Sequence, residues 1–159
     1  NTTPCDKQPH EWVLKTNFRG LHRVWLVKGY HGGCRIEWPE GTPMTLVTST
    51  AKKSPIYGYG TAYFYVPKGT RTLGGYIVRA EGEICDPDGK VVAALRDLAP
   101  KKTGYFALPV PPGQDGKLWK LNRSAHFVVL LTVPSCLARN DRELLLPREV
   151  VEADAAAAK

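Results

Sequence analysis

The sequence predicts an all-β protein, an antiparallel β-sandwich or jelly roll of about ten strands. Two observations lead to this prediction. Short runs rich in β-branched, aromatic and aliphatic residues recur about every eight to twelve residues, separated by glycine, proline and Asp-Gly pairs. Apolar residues show almost no helical spacing, so the helices that would connect parallel strands are missing from the pattern.

The predicted strands are bounded by turn-forming residues and show alternating faces. In the run 61–67, Phe64 and Val66 share one face of the predicted strand, and Tyr63 and Tyr65 share the other. The run 126–134 is apolar on both faces, which predicts a central place in a sheet. The predicted strands are 11–16, 21–29, 34–38, 44–50, 61–67, 74–85, 90–96, 104–110, 116–121 and 126–134.

The run 74–85 is expected to form one strand with one solvent-exposed face and one buried face. Arg79, Glu81 and Glu83 recur at every second position and would line the solvent side. The opposite side would then belong to the core. The residues expected to point inward are Tyr76, Val78, Ala80 and Ile84.

The stretch "CDPDGK" (85–90) is predicted to be a hairpin turn rather than a calcium loop. An EF-hand loop needs a third oxygen donor two residues after Asp88 and a glutamate at its twelfth position, whereas Gly89 and Lys90 lead straight into a strand. Proline, Asp and Gly at successive positions fit a tight turn with a glycine bulge. We expect no cofactor; a structural calcium ion held by other loops is left open.

The length of 159 residues fits one domain, which we place at 1–154, with 155–159 as a linker or vector remnant. The start "NTTPC" is typical of a processed protein or an excised module. There is no apolar run of about eighteen residues, so no membrane partner is expected.

The net charge of +7, from 22 basic and 15 acidic residues, favours anionic partners such as an acidic polysaccharide. The alternative is that the charge only keeps the domain soluble. Because the basic residues are scattered and no zinc-finger, helix-turn-helix or RNP signature is present, no nucleic-acid partner is expected.

Four cysteines, Cys5, Cys34, Cys85 and Cys136, are widely spaced and form no CxxC pair. This spacing argues against zinc and fits two disulfides in an exported protein, with three connectivities open. The alternative is four reduced cysteines buried as small apolar residues. We expect a secreted or periplasmic location.

The second part of the chain, about residues 61–154, resembles the β-sandwich accessory modules appended to large secreted bacterial proteins, many of them polysaccharide-degrading enzymes. Such modules are similar to galactose-binding-like and other jelly-roll carbohydrate-binding domains, which implies glycan binding. The resemblance brings no set of ligand residues, and the four cysteines are not part of it. The segments that carry it are "AYFYVPKGT", "GEICDPDGKVV", "GYFALPVPPGQDGKLWKL", "LLTVPSCLA" and "ELLLPREVVEADA".

Catalytic signatures are not evident, and we do not expect an enzyme. Glu81 and Glu83 lie two apart on one expected strand face beside Arg79, which is typical of a charged outer face rather than of a glycosidase pair. There is no GxSxG elbow and no paired histidine spacing for a metal. Whether any metal is bound is left open.

A ligand site is predicted from aromatic and basic residues in glycine-flanked loops, because aromatic faces stack on the C–H groups of sugars. Trp12 and Trp119 are interpreted as structural. Each candidate has a structural alternative of its own. The candidates are Arg23, Trp25, Tyr30, His31, Trp38, Tyr57, Tyr59 and Arg79.

Together these observations predict a non-catalytic carbohydrate-binding module that binds polysaccharide and targets an attached or neighbouring catalytic domain to it; whether the polysaccharide is anionic is left open. One alternative is a structural β-sandwich that packs against a catalytic domain, favoured by the leucines of "ELLLPREVV" (143–151). The other alternative is a small glycan-active metalloenzyme.

Overall fold

A computed structural model describes residues 8–25, 36–51, 60–122 and 127–157. The chain divides into two units, Asn1–Glu37 and Trp38–Lys159.

The described residues of the first unit form neither helix nor strand, and all of them are exposed. The strands predicted over 11–16 and over the described part of 21–29 are therefore wrong, as is the described part of 34–38. Alternating apolar and polar residues do not form a strand by themselves, because the backbone N–H and C=O groups of a strand need hydrogen-bonding partners on a neighbouring strand. None of the described strands pairs with these runs.

The second unit contains all the strands and helices of the described chain. Each predicted run from residue 44 onward contains at least one strand. The elements are β1 (Leu46–Val47), β2 (Thr61–Val66), β3 (Thr72–Val78), β4 (Glu83–Cys85), β5 (Val91–Ala94), α1 (Leu95–Leu98), β6 (Thr103–Pro109), β7 (Lys117–Asn122), β8 (Phe127–Leu130), β9 (Cys136–Leu137) and α2 (Arg148–Ala156).

All pairings are antiparallel, which confirms the predicted all-β fold. A four-stranded sheet has the order β2-β7-β4-β5, a three-stranded sheet has the order β6-β3-β8, and β1 pairs with β9. A bridge between Tyr63 and Ala138 places the chain after β9 beside β2. The jelly-roll strand order stays a prediction. β8 is buried on both faces as expected, but among the described strands it lies at the end of its sheet, so the predicted central place is wrong there.

The core lies between the four-stranded and the three-stranded sheet. Phe64 and Trp119 are register partners in the larger sheet, with ring centroids 6.4 Å apart, and both are fully buried. The Trp119 Nε1–H donates a hydrogen bond to the Gln114 carbonyl at 2.8 Å, which satisfies its one polar group. The predicted face of Phe64 and Val66 and the structural role of Trp119 are confirmed. The core residues from the smaller sheet include Leu73, Ile77, Phe106, Leu108, Val128 and Leu130.

The run 74–85 is two strands, not one. Arg79 has a left-handed backbone with φ of 54° and ends β3, and β4 begins only at Glu83. A residue in this conformation breaks the period of two, so the inward positions change phase across it. Leu73, Gly75 and Ile77 lie on the buried side of β3, and the prediction that Tyr76 and Val78 point inward is wrong. Ala80 and Ile84, beyond the break, are buried as predicted.

The stretch 85–90 forms the predicted turn between β4 and β5. The Asp86 carbonyl accepts a hydrogen bond from the Gly89 N–H at 3.0 Å, and Gly89 takes the positive φ of 85° that glycine tolerates. The Asp86 carboxylate accepts the Lys90 N–H at 2.9 Å, and the Asp88 carboxylate accepts the Gln114 amide at 2.8 Å. Both aspartates thus have hydrogen-bonding partners within the protein.

Cys85 and Cys136 are free and buried, so the prediction of two disulfides is wrong for the described part of the chain; Cys5 and Cys34 lie outside it. Burial raises the pKa of both thiols, which keeps them protonated. The Cys85 Sγ accepts a hydrogen bond from the Asn122 amide at 3.2 Å. These two cysteines match the alternative of reduced residues buried like small apolar groups.

Helix α2 is held to the sandwich by one carboxylate. Asp154 accepts hydrogen bonds from the Tyr65 hydroxyl and, at 3.1 Å, from the Lys68 N–H. Burial and the neighbouring Asp154 carboxylate raise the pKa of Tyr65 to about 12. The helix continues through Ala156. Neither helix of the described residues has the length and apolarity needed to cross a membrane.

Candidate functional site: a tyrosine pair on the outer face of the three-stranded sheet

Two tyrosines contact each other on the side of the three-stranded sheet that faces away from the core. Tyr76 of β3 and Tyr105 of β6 are register partners, with ring centroids 4.9 Å apart and ring planes tilted by 55°. Tyr76 is half-buried, whereas Tyr105 is 73% exposed. This cross-strand pair therefore presents mainly the Tyr105 ring to solvent.

Alternation along β6 directs Tyr105 outward. Phe106 and Leu108 are buried and point into the core, so the residues between and beside them face solvent. Phe106 lies directly over its register partner Gly75, where a side chain would collide with the ring. The small Gly75 thus lets the two strands lie with Phe106 inside and Tyr105 outside.

The residues beside the pair on β6 are small. Thr103 and Ala107 are both exposed and flank Tyr105 at every second position, so they do not rise above its ring. On β3, Gly74 lies beside Tyr76, and its N–H donates to Thr132 Oγ1 at 2.7 Å. We call the surface formed by Tyr76, Tyr105, Thr103 and Ala107 the tyrosine face.

Basic residues lie at one end of this surface. Arg79 follows the last register pair of β3 and β6, and Lys101 and Lys102 precede β6; all three are exposed. The Ala80 N–H donates to the Lys102 carbonyl at 2.9 Å, which holds the two chain segments together beyond the ladder. We call these three residues the basic end.

A shallow cavity of about 250 Å³ lies at the other end of the same ladder. The Val110 N–H donates to the Arg71 carbonyl at 2.9 Å just beyond the pair of Thr72 and Pro109. The Asp115 carboxylate accepts the Gly69 N–H at 2.7 Å and closes one wall. The lining residues are Gly69, Thr70, Arg71, Val110, Pro111, Pro112 and Asp115.

The site residues predicted from the sequence fall in both units and in segments outside the described residues. Arg23 and Trp25, in the first unit, are exposed, and the Arg23 guanidinium carbon lies 5.6 Å from the Trp25 ring centroid. In the second unit, Arg79 belongs to the basic end and Trp38 does not belong to the tyrosine face. The remaining candidates, Tyr30, His31, Tyr57 and Tyr59, lie outside the described residues and stay predictions.

Trp38 is half-buried and is covered by the protein itself. The Arg139 guanidinium carbon lies 3.7 Å from the ring centroid, so this face of the indole makes a cation–π contact within the protein. Arg139 also makes two hydrogen bonds to the buried Glu143 carboxylate, at 2.6 and 3.0 Å. Glu143 N–H donates to Asn140 Oδ1 at 3.0 Å. The cluster of Trp38, Arg139 and Glu143 stabilises the fold and offers no free aromatic surface on this side.

The Arg139 hydrogen bonds lower the pKa of Glu143 from its ordinary value of 4.5, with Asn140 and Trp38 adding to the effect and burial opposing it. Because the folded pKa lies below the unfolded one, the carboxylate contributes stability above about pH 4.5 and loses it as the pH falls through the folded pKa. We expect the difference in unfolding free energy between the parent and Glu143→Gln to narrow below about pH 4.5. Urea unfolding of both proteins from pH 7 to pH 3 measures it; a constant difference contradicts this expectation.

Other polar features of the described residues do not form a site. No group of three histidine, cysteine, aspartate or glutamate residues there could hold a metal ion. A second cavity, of about 650 Å³, is lined by Gly60, Thr61, Glu83 and Asn122. Gly60 and Asn122 adjoin segments outside the described residues, so we assign no site to this cavity. Glu81 is exposed and Glu83 is half-buried.

Sequence reasoning missed the tyrosine face, although part of its signal is present. In "GYFALPV" (104–110), two large apolar residues alternate with Tyr105 and Ala107, which is the pattern of a half-exposed strand. The position of Tyr76 could not be read this way, because the left-handed Arg79 shifts the phase. Comparison with protein-family models, with curated proteins and with solved structures finds no match to this chain.

Proposed function

We propose that this protein is a non-catalytic carbohydrate-binding module and that the tyrosine face binds the sugar chain. The observation that carries the proposal is the ring of Tyr105, which is 73% exposed and contacts Tyr76 on the outer face of the three-stranded sheet. Sugar rings present C–H groups that pack on aromatic faces, and such stacking is a main source of glycan affinity.

The shape of the surface suits an extended chain rather than a single sugar. The ladder of β3 and β6 contains seven residue pairs, and at about 3.3 Å per residue it runs for roughly 20 Å. Tyr76 and Tyr105 are one of the two inner pairs among the four that lie on the outer face. The cavity beside Arg71 and the basic end lie beyond its two ends, so polar contacts are available on both sides of the stacking surface.

The module would act by holding an attached or neighbouring enzyme near its substrate. This part of the proposal is supported by the resemblance of residues 61–154 to accessory modules of secreted polysaccharide-degrading proteins. It implies a secreted or periplasmic location. The chain itself would supply binding and no bond cleavage.

Replacing Tyr105 by alanine is expected to weaken polysaccharide binding about tenfold, because it removes the exposed stacking surface. The thermal midpoint should change little, since the ring is mostly exposed. Affinity gel electrophoresis measures the retardation of the parent and the variant in gels containing xylan, mannan, β-glucan, polygalacturonate or dextran sulfate.

Tyr63→Ala is the matched control. Tyr63 is half-buried on the outer face of the four-stranded sheet, with the Lys120 ammonium 5.7 Å from its ring centroid, and should bind no sugar. The proposal is wrong if no polysaccharide retards the parent. It is also wrong if Tyr105→Ala and Tyr63→Ala migrate alike on every polysaccharide that the parent binds.

A second candidate function, a structural domain that packs against a catalytic domain, is favoured by the first unit. Seven large apolar residues within 8–25 are between 45% and 84% exposed, and exposed apolar runs mark protein-binding surfaces. A parent that no polysaccharide retards, and that self-associates in sedimentation experiments, would fit this function. The residues are Trp12, Val13, Leu14, Phe18, Leu21, Val24 and Trp25.

A further inference from the structure

We propose that the tyrosine face takes an acidic polysaccharide and that Arg79 and Lys102 recognise its carboxylate or sulfate groups. This inference rests on the proposed function and specifies the class of its ligand. The inference is drawn from the backbone conformation of Arg79 and Lys102 at the basic end. The overall positive charge of the chain gives no information about that conformation.

Arg79 and Lys102 share an unusual conformation. Among the described residues, they are the only ones other than glycine with positive φ, at 54° and 63°. They lie opposite each other, immediately beyond the register pair of Val78 and Thr103. The hydrogen bond from the Ala80 N–H to the Lys102 carbonyl fixes both segments in this arrangement.

The left-handed conformation is unfavourable for a residue with a side chain and free of this penalty for glycine. Elsewhere the second unit uses glycine where it needs positive φ. At the basic end it keeps two long cationic side chains in the same conformation. Non-glycine residues held in this region are concentrated at functional sites, where the side chain has a role of its own. The glycines with positive φ in the second unit are Gly41, Gly69, Gly82, Gly89, Gly113 and Gly116.

The conformation also determines where the side chains lie. In a continued strand, the pair after Val78 and Thr103 would face the core; instead both Arg79 and Lys102 are exposed. Residues 79–81 and 101–102 contain three cationic side chains, those of Arg79, Lys101 and Lys102, and one carboxylate, that of Glu81. The local charge is therefore positive, and an anionic group would be attracted to it.

The basic end is within reach of a chain stacked on Tyr105. Lys102 precedes Tyr105 by three residues, or roughly 10 Å along an extended strand, and its long side chain can extend over part of that distance. An acidic substituent on a sugar neighbouring the Tyr105 ring would thus meet the ammonium group of Lys102 within the positive potential of Arg79 and Lys101.

The test replaces both residues by glycine, Arg79→Gly with Lys102→Gly. Because glycine prefers this conformation more than arginine or lysine does, the thermal midpoint is expected to stay within about 3 °C of the parent or to rise. Affinity for the acidic polysaccharide is expected to fall about tenfold at low salt, since two exposed charge pairs are lost. Retardation by a neutral polysaccharide should be unchanged.

Two further variants make the result specific. Arg79→Asn with Lys102→Asn removes the same charges with a residue that tolerates positive φ, and it should behave like the glycine pair. Lys117→Gln removes an exposed charge from β7 in the other sheet and should bind as the parent does. Binding of the parent to polygalacturonate, to dextran sulfate and to neutral xylan distinguishes carboxylate from sulfate recognition. Binding of the acidic chains should weaken as salt rises.

The inference is overturned if the glycine and asparagine pairs bind acidic polysaccharide as the parent does, or if they lose neutral and acidic binding equally. It is also overturned if the parent prefers neutral chains. In each of these cases Tyr105→Ala can still lose binding, and the proposed function then stands without the acidic ligand. A parent that binds no polysaccharide overturns both proposals.

Discussion

Replacing Arg139 by methionine is expected to lower the free energy of unfolding by about 3 kcal/mol. The Glu143 side chain is 4% exposed. Among the described residues its carboxylate forms an ion pair only with Arg139, which donates two hydrogen bonds to it. Without the guanidinium, a charged group is left buried and incompletely paired, which is the costly case for a buried ion pair. We place the effect at the lower end of the usual range because Arg139 is itself 37% exposed. Urea unfolding of the parent and of Arg139→Met measures this difference in unfolding free energy.

The control is Arg148→Met. Arg148 and Glu152 have the same spacing of four residues along the chain, but their side chains are 86% and 70% exposed and 3.9 Å apart, so the loss should be below about 0.5 kcal/mol. The double variant Arg139→Met with Glu143→Met should recover much of the loss, because replacing both members of a buried pair by apolar groups is often nearly neutral. Equal losses in Arg139→Met and Arg148→Met would contradict the assignment.

Replacing Gly75 by alanine is expected to lower the free energy of unfolding by about 3 kcal/mol. A methyl group at this position would lie 2.6 Å from the Val129 carbonyl oxygen and from the Phe106 Cζ. The Phe106 ring belongs to the core, and the carbonyl belongs to the neighbouring strand, so neither can move aside without disturbing the sheet. Equilibrium unfolding in urea, followed by tryptophan fluorescence, measures the loss.

Gly104→Ala provides the comparison within the same strand pair. Gly104 lies on β6 opposite Ile77, and a methyl group there would meet nothing within 4 Å. Its substitution should leave stability within about 0.5 kcal/mol of the parent. If Gly75→Ala is as stable as Gly104→Ala, the packing of Phe106 over Gly75 does not determine which face of β6 carries Tyr105.

Gly75 links the stability of the three-stranded sheet to the proposed binding site. Phe106 and Tyr105 are neighbours in the chain and point to opposite faces, so the glycine that admits Phe106 into the core also places Tyr105 outside. A Gly75→Ala protein that remains folded at low temperature should therefore bind polysaccharide less tightly than the parent. The same gels that test Tyr105→Ala would show this effect.

Local chemistry was enough to predict several parts of the molecule. The turn at 85–90 depends on proline, aspartate and glycine at fixed offsets, and these residues act within one turn. The two faces of β2 follow from a strict alternation of large apolar residues, and Trp119 lies in the core as expected for an indole within a strand. The antiparallel class followed from the number of turns and the lack of helical spacing.

The tertiary structure decided where the aromatic residues lie. Trp38 has no exposed ring face on the side of Arg139, a residue about a hundred positions away in the chain, and nothing near Trp38 in the sequence indicates that contact. The outward position of Tyr76 could not be extrapolated from the pattern beyond residue 79, because Arg79 has a left-handed backbone where the Ala80 N–H donates to the Lys102 carbonyl. Alternation of apolar residues identifies the buried face only while the period of two continues, and the break at residue 79 depends on a contact with a segment distant in sequence.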